Sequence, residues 1–174
     1  MRVSITGVPG VGKTTIAKLV GKALGMRVIH LNELAKREGF LVGFDEERDC
    51  KMVDIGKLKK KLKDEDNAIF EGHFAEEIPA DIIVVLRLDP NEVLERLINR
   101  KYSKKKATEN ALAEALDYYT PTDRKGVFEV NTTGLTPYDI VYKVVRAVEK
   151  RKGDKVDFSY WLEKNLEELE RLGL

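Results

Sequence analysis

Gly7-Val8-Pro9-Gly10-Val11-Gly12-Lys13-Thr14 sets a glycine, four residues, a second glycine, a lysine and a hydroxyl residue in one unbroken run. Residue types in this order can grip a polyphosphate. Gly10 and Gly12 lack a Cβ, so the backbone around Val11 can turn successive N–H groups inward toward an anion. A helix beginning near Lys13 adds its partial positive end. Lys13 is then placed to reach the β- and γ-phosphates, Thr14 to ligate Mg²⁺ through its hydroxyl, and Thr15 to donate toward the α-phosphate. ATP and Mg²⁺ are the expected cofactors. Chance produces the pattern in roughly half a percent of chains this long. The alternative is a glycine-rich turn with an ordinary exposed lysine.

Such a loop says that triphosphate binds, and the reaction class must come from its surroundings. Glu71 closes a short apolar run and is read either as a carboxylate beside Mg²⁺ or as a strand-end charge facing water. His73, two residues on, could position a water or relay a proton at near-neutral pH, or serve as a structural hydrogen-bonding histidine. His30, following Val28-Ile29, is read as a cap for the helix at Asn32–Glu38, or as a functional residue where the next segment begins. Arg96 and Arg100 are four apart on one helix face and can converge on a transferring phosphate, or remain surface ion pairs. The lysines at 101 and 104–106 read as a mobile basic turn, either a solvated face or an RNA contact. Lys57, Lys59–Lys61 and Lys63 read as a solvated face, with Leu58 and Leu62 turned to the core. Asp45, Glu46, Glu47 and Asp49 could select through a base edge or bind a basic protein, and Cys50 reads as a structural thiol.

Short β-branched runs alternating with helical patterns predict βαβ units around a parallel sheet, an α/β fold. Strands are predicted at Arg2–Thr6, Arg27–His30, Ala68–Glu71, Ile82–Leu88 and Val127–Val130. The run Ile82-Ile83-Val84-Val85-Leu86 is apolar on both faces, as suits a strand between two helical layers. Helices are predicted at Lys13–Leu24, Asn32–Glu38, Ile55–Asp64, Pro90–Arg100, Ala107–Arg124 and Pro137–Arg151. Asp89-Pro90-Asn91-Glu92 reads as an N-cap, a first-turn proline and a capping-box glutamate; Thr136-Pro137 repeats the cap and proline. The tail from 157 to 172 carries Phe158, Trp161, Leu162, Leu166, Leu169 and Leu172 at helical spacing, a face that must dock on its own domain or on a partner. Gly153-Asp154 is the one plausible linker.

The chain has 174 residues, 43% hydrophobic and 35% charged, which fits a single domain spanning 1–174. A net charge of +1 does not announce a nucleic-acid binder or a membrane-surface protein. One cysteine excludes an internal disulfide framework, and Met-Arg-Val-Ser-Ile reads as a strand rather than a signal peptide. No apolar run approaches about 20 residues, so no transmembrane helix is expected. A cytoplasmic setting follows as the expectation. Heavy use of both charge signs, with three Met, is compatible with a heat-adapted source.

Four stretches together resemble the atypical adenylate kinase family, the isoenzyme-six or CINAP type, in its archaeal form. They are Gly7–Thr15; Gly43-Phe44-Asp45-Glu46-Glu47-Arg48-Asp49-Cys50; Glu71-Gly72-His73, where eukaryotic members carry Asp, any residue, His; and Arg96–Tyr102 with Ser103-Lys104-Lys105-Lys106. The resemblance covers about 1–124. It implies a P-loop NTPase with a doubly wound five-stranded parallel sheet, a short monophosphate-binding insertion at 30–53 and a small lid at 99–109. It implies reversible transfer from ATP to AMP with broad nucleotide tolerance, and ATP hydrolysis. On that reading Lys13, Arg100, His73 and Glu71 are catalytic, Arg96 joins Arg100 and the loop on ATP, and Lys36 with Arg37 bind AMP. Lys36 falls where the family has a phosphate-binding arginine. The family further implies a role in small-subunit ribosome biogenesis and rRNA maturation, with a platform ribosomal protein of the S11 type as partner and pre-rRNA as a possible contact. Two other readings stay open: an ATP-gated assembly switch in which Glu71 and His73 orient a hydrolytic water, and a small-metabolite kinase.

Overall fold

The computed structural model describes residues 1–45 and 50–174, without the side chains of Asp45, Cys50 and Lys51. The readings of Asp45, Glu46, Glu47, Asp49 and Cys50 therefore concern side chains outside those described. Strands form at β1 (Arg2–Thr6), β2 (Arg27–His30), β3 (Leu41–Asp45), β4 (Cys50–Val53), β5 (Ala68–Glu71), β6 (Ile82–Arg87) and β7 (Val127–Asn131). Helices form at α1 (Lys13–Leu24), α2 (Leu31–Arg37), α3 (Ile55–Lys61), α4 (Pro90–Asn99), α5 (Lys104–Ala115), α6 (Pro137–Lys150) and α7 (Tyr160–Leu172). Five strands make one sheet in the order β2-β5-β1-β6-β7, every pair parallel. This is the expected doubly wound sheet. β3 and β4 form a separate antiparallel hairpin.

Parallel strands must be covered on both faces, and the side-chain alternation shows that they are. All six residues of β6 are buried. In β5, Ile69 joins the core built with α1 and α6, while its neighbours Ala68 and Phe70 join Leu31, Leu34, Leu58, Leu62 and Ile78. Leu58 and Leu62 thus face the core as expected, and the lysines around them pair with Asp54, Glu77 and Glu38 at the surface.

Several boundaries differ from the sequence reading. The helix expected at Ala107–Arg124 runs instead over Lys104–Ala115: the Ser103 hydroxyl accepts from the Lys106 N–H at 3.2 Å and starts it early. It ends well before Pro121, with Asp117 in the left-handed region at φ 55°. Lys104–Lys106 are accordingly a first helical turn and not a mobile one, and only residues 100–103 connect α4 to α5. α3 stops at Lys61, and a 3₁₀ turn at Ala75–Glu77 and the β3–β4 hairpin were not expected. Gly43 interrupts the β3 apolar run, so the short strand has little periodicity to show. Asp89 caps α4 through the Asn91 N–H at 2.8 Å, but Glu92 turns to Arg96 at 3.1 Å instead of closing a capping box. Thr136 and Asp139 do close one on α6.

Two fastenings hold the α4–α5 pair. Arg87, fully buried at the end of β6, meets Glu114 at 2.7 Å and Asp117 at 2.5 Å on the α5 side, and Glu129 on β7. The Glu114 carboxylate also accepts from the Leu88 N–H at 3.1 Å. The tail docks on its own chain: Trp161, 1% exposed, donates to Asn91 at 3.0 Å, Tyr160 bonds Asp89, and Glu168 pairs with Lys104 at 2.8 Å. Leu166, expected on the buried face, is half exposed. Gly153-Asp154 is no free linker, because the Asp154 N–H donates to the Glu129 carbonyl and its carboxylate takes Asn131 N–H and Lys143, all at 2.8 Å. Among the described residues no helix is long and apolar enough to cross a membrane.

Candidate active site

The residues singled out for chemistry gather at the carboxyl ends of β2, β5 and β1, where ligands bind in open α/β sheets. His30 and Glu71 are register partners at the ends of β2 and β5, Glu71 stands opposite Ile5 of β1, and the glycine-rich loop follows Thr6. Gly7, Gly10 and Gly12 take φ of 133°, 96° and 95°. A Cβ on Gly7 would lie 2.5 Å from the Leu86 carbonyl oxygen, so this turn requires glycine both for its dihedral and for its closeness to β6. Gly12 caps α1 with no side-chain acceptor, which leaves the first N–H groups of the helix available to an anion. Val11 turns its side chain into the core, so only its backbone can meet a ligand.

Lys13 folds back over the loop, its ammonium donating to the carbonyls of Gly7 at 2.8 Å and Val8 at 2.9 Å. Burial pushes its pKa down to about 8, against the pull of Glu71, Glu76 and Glu114, and the nearby Arg100 charge adds to the fall. Thr14 is exposed at the start of α1, and its hydroxyl donates to Glu71 Oε1 at 3.2 Å. Glu71 is buried, and its other oxygen lies 2.6 Å from His30 Nδ1. Two sequence readings are corrected here. Glu71 is not a strand-end charge facing water, and His30 makes no cap bond to α2 but serves as Glu71's partner. A hydroxyl and a carboxylate are the hard oxygen donors that Mg²⁺ accepts, and such sites leave several positions to water and phosphate. Thr14 and Glu71 therefore fit Mg²⁺. Among the described residues no three metal-ligating side chains cluster.

His73 packs edge-on against Phe74, and burial, with Lys13 nearby, pushes its pKa down to about 4 against the pull of Glu71. A ring whose pKa lies that far below neutrality is a weak proton acceptor at pH 7, and it can still hold a water or phosphate oxygen by a hydrogen bond. Arg96 reaches the loop, donating to the Gly10 carbonyl at 3.3 Å. Arg100, just past α4, is exposed, its side chain makes no hydrogen bond or ion pair with the described residues, and it is close enough for Lys13 to feel its charge. Thr15 is exposed on the first turn of α1. Lys36 and Arg37 are not gathered with the rest. They are exposed on the last turn of α2, about 9 Å along the helix from the end that abuts Glu71, and among the described residues Arg37 pairs with Glu38 alone, at 3.4 Å.

Sequence reasoning missed Glu76. Its carboxylate accepts from the hydroxyl of Thr6, a fully buried residue, at 2.5 Å. Nothing in Glu76-Glu77 distinguishes it from a surface pair until the 3₁₀ turn carries it over the end of β1.

Residues 3–117 match the family described as AAA domain. The chain is 40% identical over 161 residues to a protein of Natronomonas pharaonis named "Putative adenylate kinase", covering 90% of this chain and 95% of that one. A protein of the same name from Methanocaldococcus jannaschii is 38% identical over 170 residues, covering 94% of each. Among solved structures, a gluconokinase from Sinorhizobium meliloti superposes with a TM-score of 0.59 at 14% identity, covering 86% of this chain and 92% of that one, a likeness of fold. With the phosphate loop, the parallel sheet and relatives aligned over nearly their whole length, the chain belongs to the archaeal adenylate kinase family and is built on the P-loop kinase fold.

Proposed function

We propose that the protein transfers the γ-phosphoryl group of ATP to AMP, with tolerance for other nucleosides, and hydrolyses ATP more slowly when no acceptor is present. The observation that carries this is the Thr14–Glu71–His30 chain beside Lys13, at 3.2 and 2.6 Å. It supports the reading by setting a hydroxyl held by a carboxylate, and an ammonium held by two carbonyls, beside the glycine-rich turn. Phosphoryl transfer falls in barrier mainly through positioning and charge stabilisation. In this reading the N–H groups of Gly10, Val11 and Gly12 hold the phosphates, and Thr15 donates to the α-phosphate. Lys13 leaves the Gly7 and Val8 carbonyls for the β- and γ-oxygens. Arg100, in the lid at residues 99–109, and Arg96, from its place on Gly10 on the same side, close on the phosphates. Thr14 and Glu71 would hold Mg²⁺ with the nucleotide, and the ion would supply charge neutralisation to the transferring phosphoryl group. Glu71 orients Thr14 and water at that position, with His30 holding its second oxygen. Neutral His73 donates or accepts one hydrogen bond to water or phosphate. Lys36 and Arg37, on the insertion at 30–53, neutralise the AMP phosphate once this segment swings toward the loop. Lys13→Ala is expected to cut ADP formation from ATP plus AMP by about a thousandfold; near-normal turnover would remove the loop from the mechanism.

The cellular role proposed is small-subunit ribosome maturation in the cytoplasm, through a basic platform ribosomal protein of the S11 type and contact with pre-rRNA. Support comes from the sequence resemblance and from the hairpin, where Val42, Phe44 and Met52 are 55%, 52% and 44% exposed next to the acidic stretch 45–49. If that protein or its RNA accelerates ATP hydrolysis without AMP, the assembly-switch reading gains. If only AMP accelerates ADP production, transfer is the main activity.

A further inference from the structure

Phosphoryl transfer to AMP needs no base, because the acceptor is already an anion at neutral pH. Transfer to water does, because the attacking oxygen must shed a proton. Of the carboxylates whose charge acts on the Lys13 ammonium, Glu71 ends β5 and Glu76 stands on the 3₁₀ turn that follows. Glu71 is committed to Thr14 and His30. Glu76 is committed to neither of those partners. The 3₁₀ turn lays it over the last residue of β1, where its Oε2 accepts from Thr6 Oγ1 at 2.5 Å, and Thr6 directly precedes Gly7, whose carbonyl holds Lys13. Among the described residues Thr6 is the one side-chain donor to it. The turn is fastened from outside by Arg124, which donates to the Glu76 carbonyl. Burial raises the Glu76 pKa, against the Thr6 bond and the Lys13 charge, which makes it a better base than a surface carboxylate.

We propose that Glu76, held by Thr6 at the start of the phosphate loop, binds the attacking water when ATP is hydrolysed without an acceptor, and so sets the ratio of hydrolysis to transfer. The inference rests on the proposed ATP site. In the step, the water oxygen bonds to the γ-phosphorus as the bond from that phosphorus to the β–γ bridging oxygen breaks. The electron pair leaves with ADP, and a water proton passes to the Glu76 carboxylate and from there to solvent. An AMP phosphate seated in line displaces the water, so the same carboxylate is idle during transfer.

Glu76→Gln keeps an acceptor for Thr6 and removes the base. With Mg²⁺–ATP, phosphate release without AMP and ADP formation with AMP are measured on the same preparation. The expected result is a fall of at least about tenfold in the ratio of hydrolysis to transfer, with KM for ATP unchanged. Glu76→Asp, which retains a carboxylate, should recover part of the lost hydrolysis. An equal fall in both reactions would make Glu76 structural and overturn the proposal, as would unchanged hydrolysis. Should Glu76→Gln fail to fold, Glu76→Ala decides: a hydrolysis-to-transfer ratio equal to the parent's overturns the proposal. Lys13→Ala serves as the separate control. If it spares both reactions, the ATP site itself is misplaced, whatever Glu76 does.

Discussion

The donor and acceptor sides of the site are built to different degrees. On the donor side four of the chemistry-bearing groups have partners before ligand arrives: Lys13 on two carbonyls, Thr14 on Glu71, Glu71 on His30, Arg96 on Gly10. Glu71 and His30 end neighbouring strands, where the sheet register sets their spacing, and Lys13 and Thr14 follow from the turn after β1. On the acceptor side, Lys36 and Arg37 project from a seven-residue helix into solvent, and the hairpin beyond shows half-exposed Val42 and Phe44. A preformed cradle takes its ligand at little ordering cost, while an open one must spend binding energy to close. On the proposed function, ATP would meet a site already shaped, and AMP would have to complete its own.

The largest expected effect comes from breaking the preformed side. Gly7→Ala puts a Cβ 2.5 Å from the Leu86 carbonyl at φ 133°. ATP binding by calorimetry should be lost, with a destabilisation of more than about 2 kcal/mol in denaturant unfolding. A variant that binds ATP normally would show that the loop adapts and is not prebuilt.

On the open side, the Lys36→Ala, Arg37→Ala double variant should raise KM for AMP roughly a hundredfold, since each cation supplies one charge-assisted hydrogen bond to the phosphate, and leave KM for ATP in place. A rise in both constants would merge the two sides into one.

The smallest effect sharpens the donor side through pH. The Lys13 pKa is lowered from 10.5 to about 8, so the folded protein binds fewer protons than the unfolded chain between those values. This group's contribution to stability therefore rises with pH across that window, and phosphate binding, which needs the ammonium, moves the opposite way. ATP affinity should fall about fourfold between pH 7 and 8.5, with proton uptake on binding seen by calorimetry in buffers of different ionisation enthalpy. Flat affinity over that range would place the Lys13 ammonium outside the phosphate contacts.

Much of the donor side was legible because its signals are local. The glycine spacing, the hydroxyl after Lys13 and the β-branched runs each report on a few neighbouring residues, and all five sheet strands follow from them. Glu71 was legible as a strand end, but its burial was not, because that depends on β2 and β1 closing on either side. His30 was misread for the same reason: a histidine before a helix looks like a cap until the neighbouring strand brings a carboxylate to 2.6 Å. The α5 boundaries slipped because Ser103 was passed over as a cap. Arg87 lay hidden inside an apolar strand, its three carboxylates 27, 30 and 42 residues away.

The amino-acid order is enough to specify the phosphate loop, the succession of strands and helices and the places where a cation or carboxylate could serve, since those depend on backbone freedom and side-chain periodicity within short windows. Packing in three dimensions sets which of these groups meet, which are neutral and which are left waiting. Parallel pairing of β2, β5 and β1 brings residues far apart in the chain to one edge, and burial there lowers the Lys13 and His73 pKa values and raises that of Glu76. Desolvation and long-range contact are properties of the packed whole.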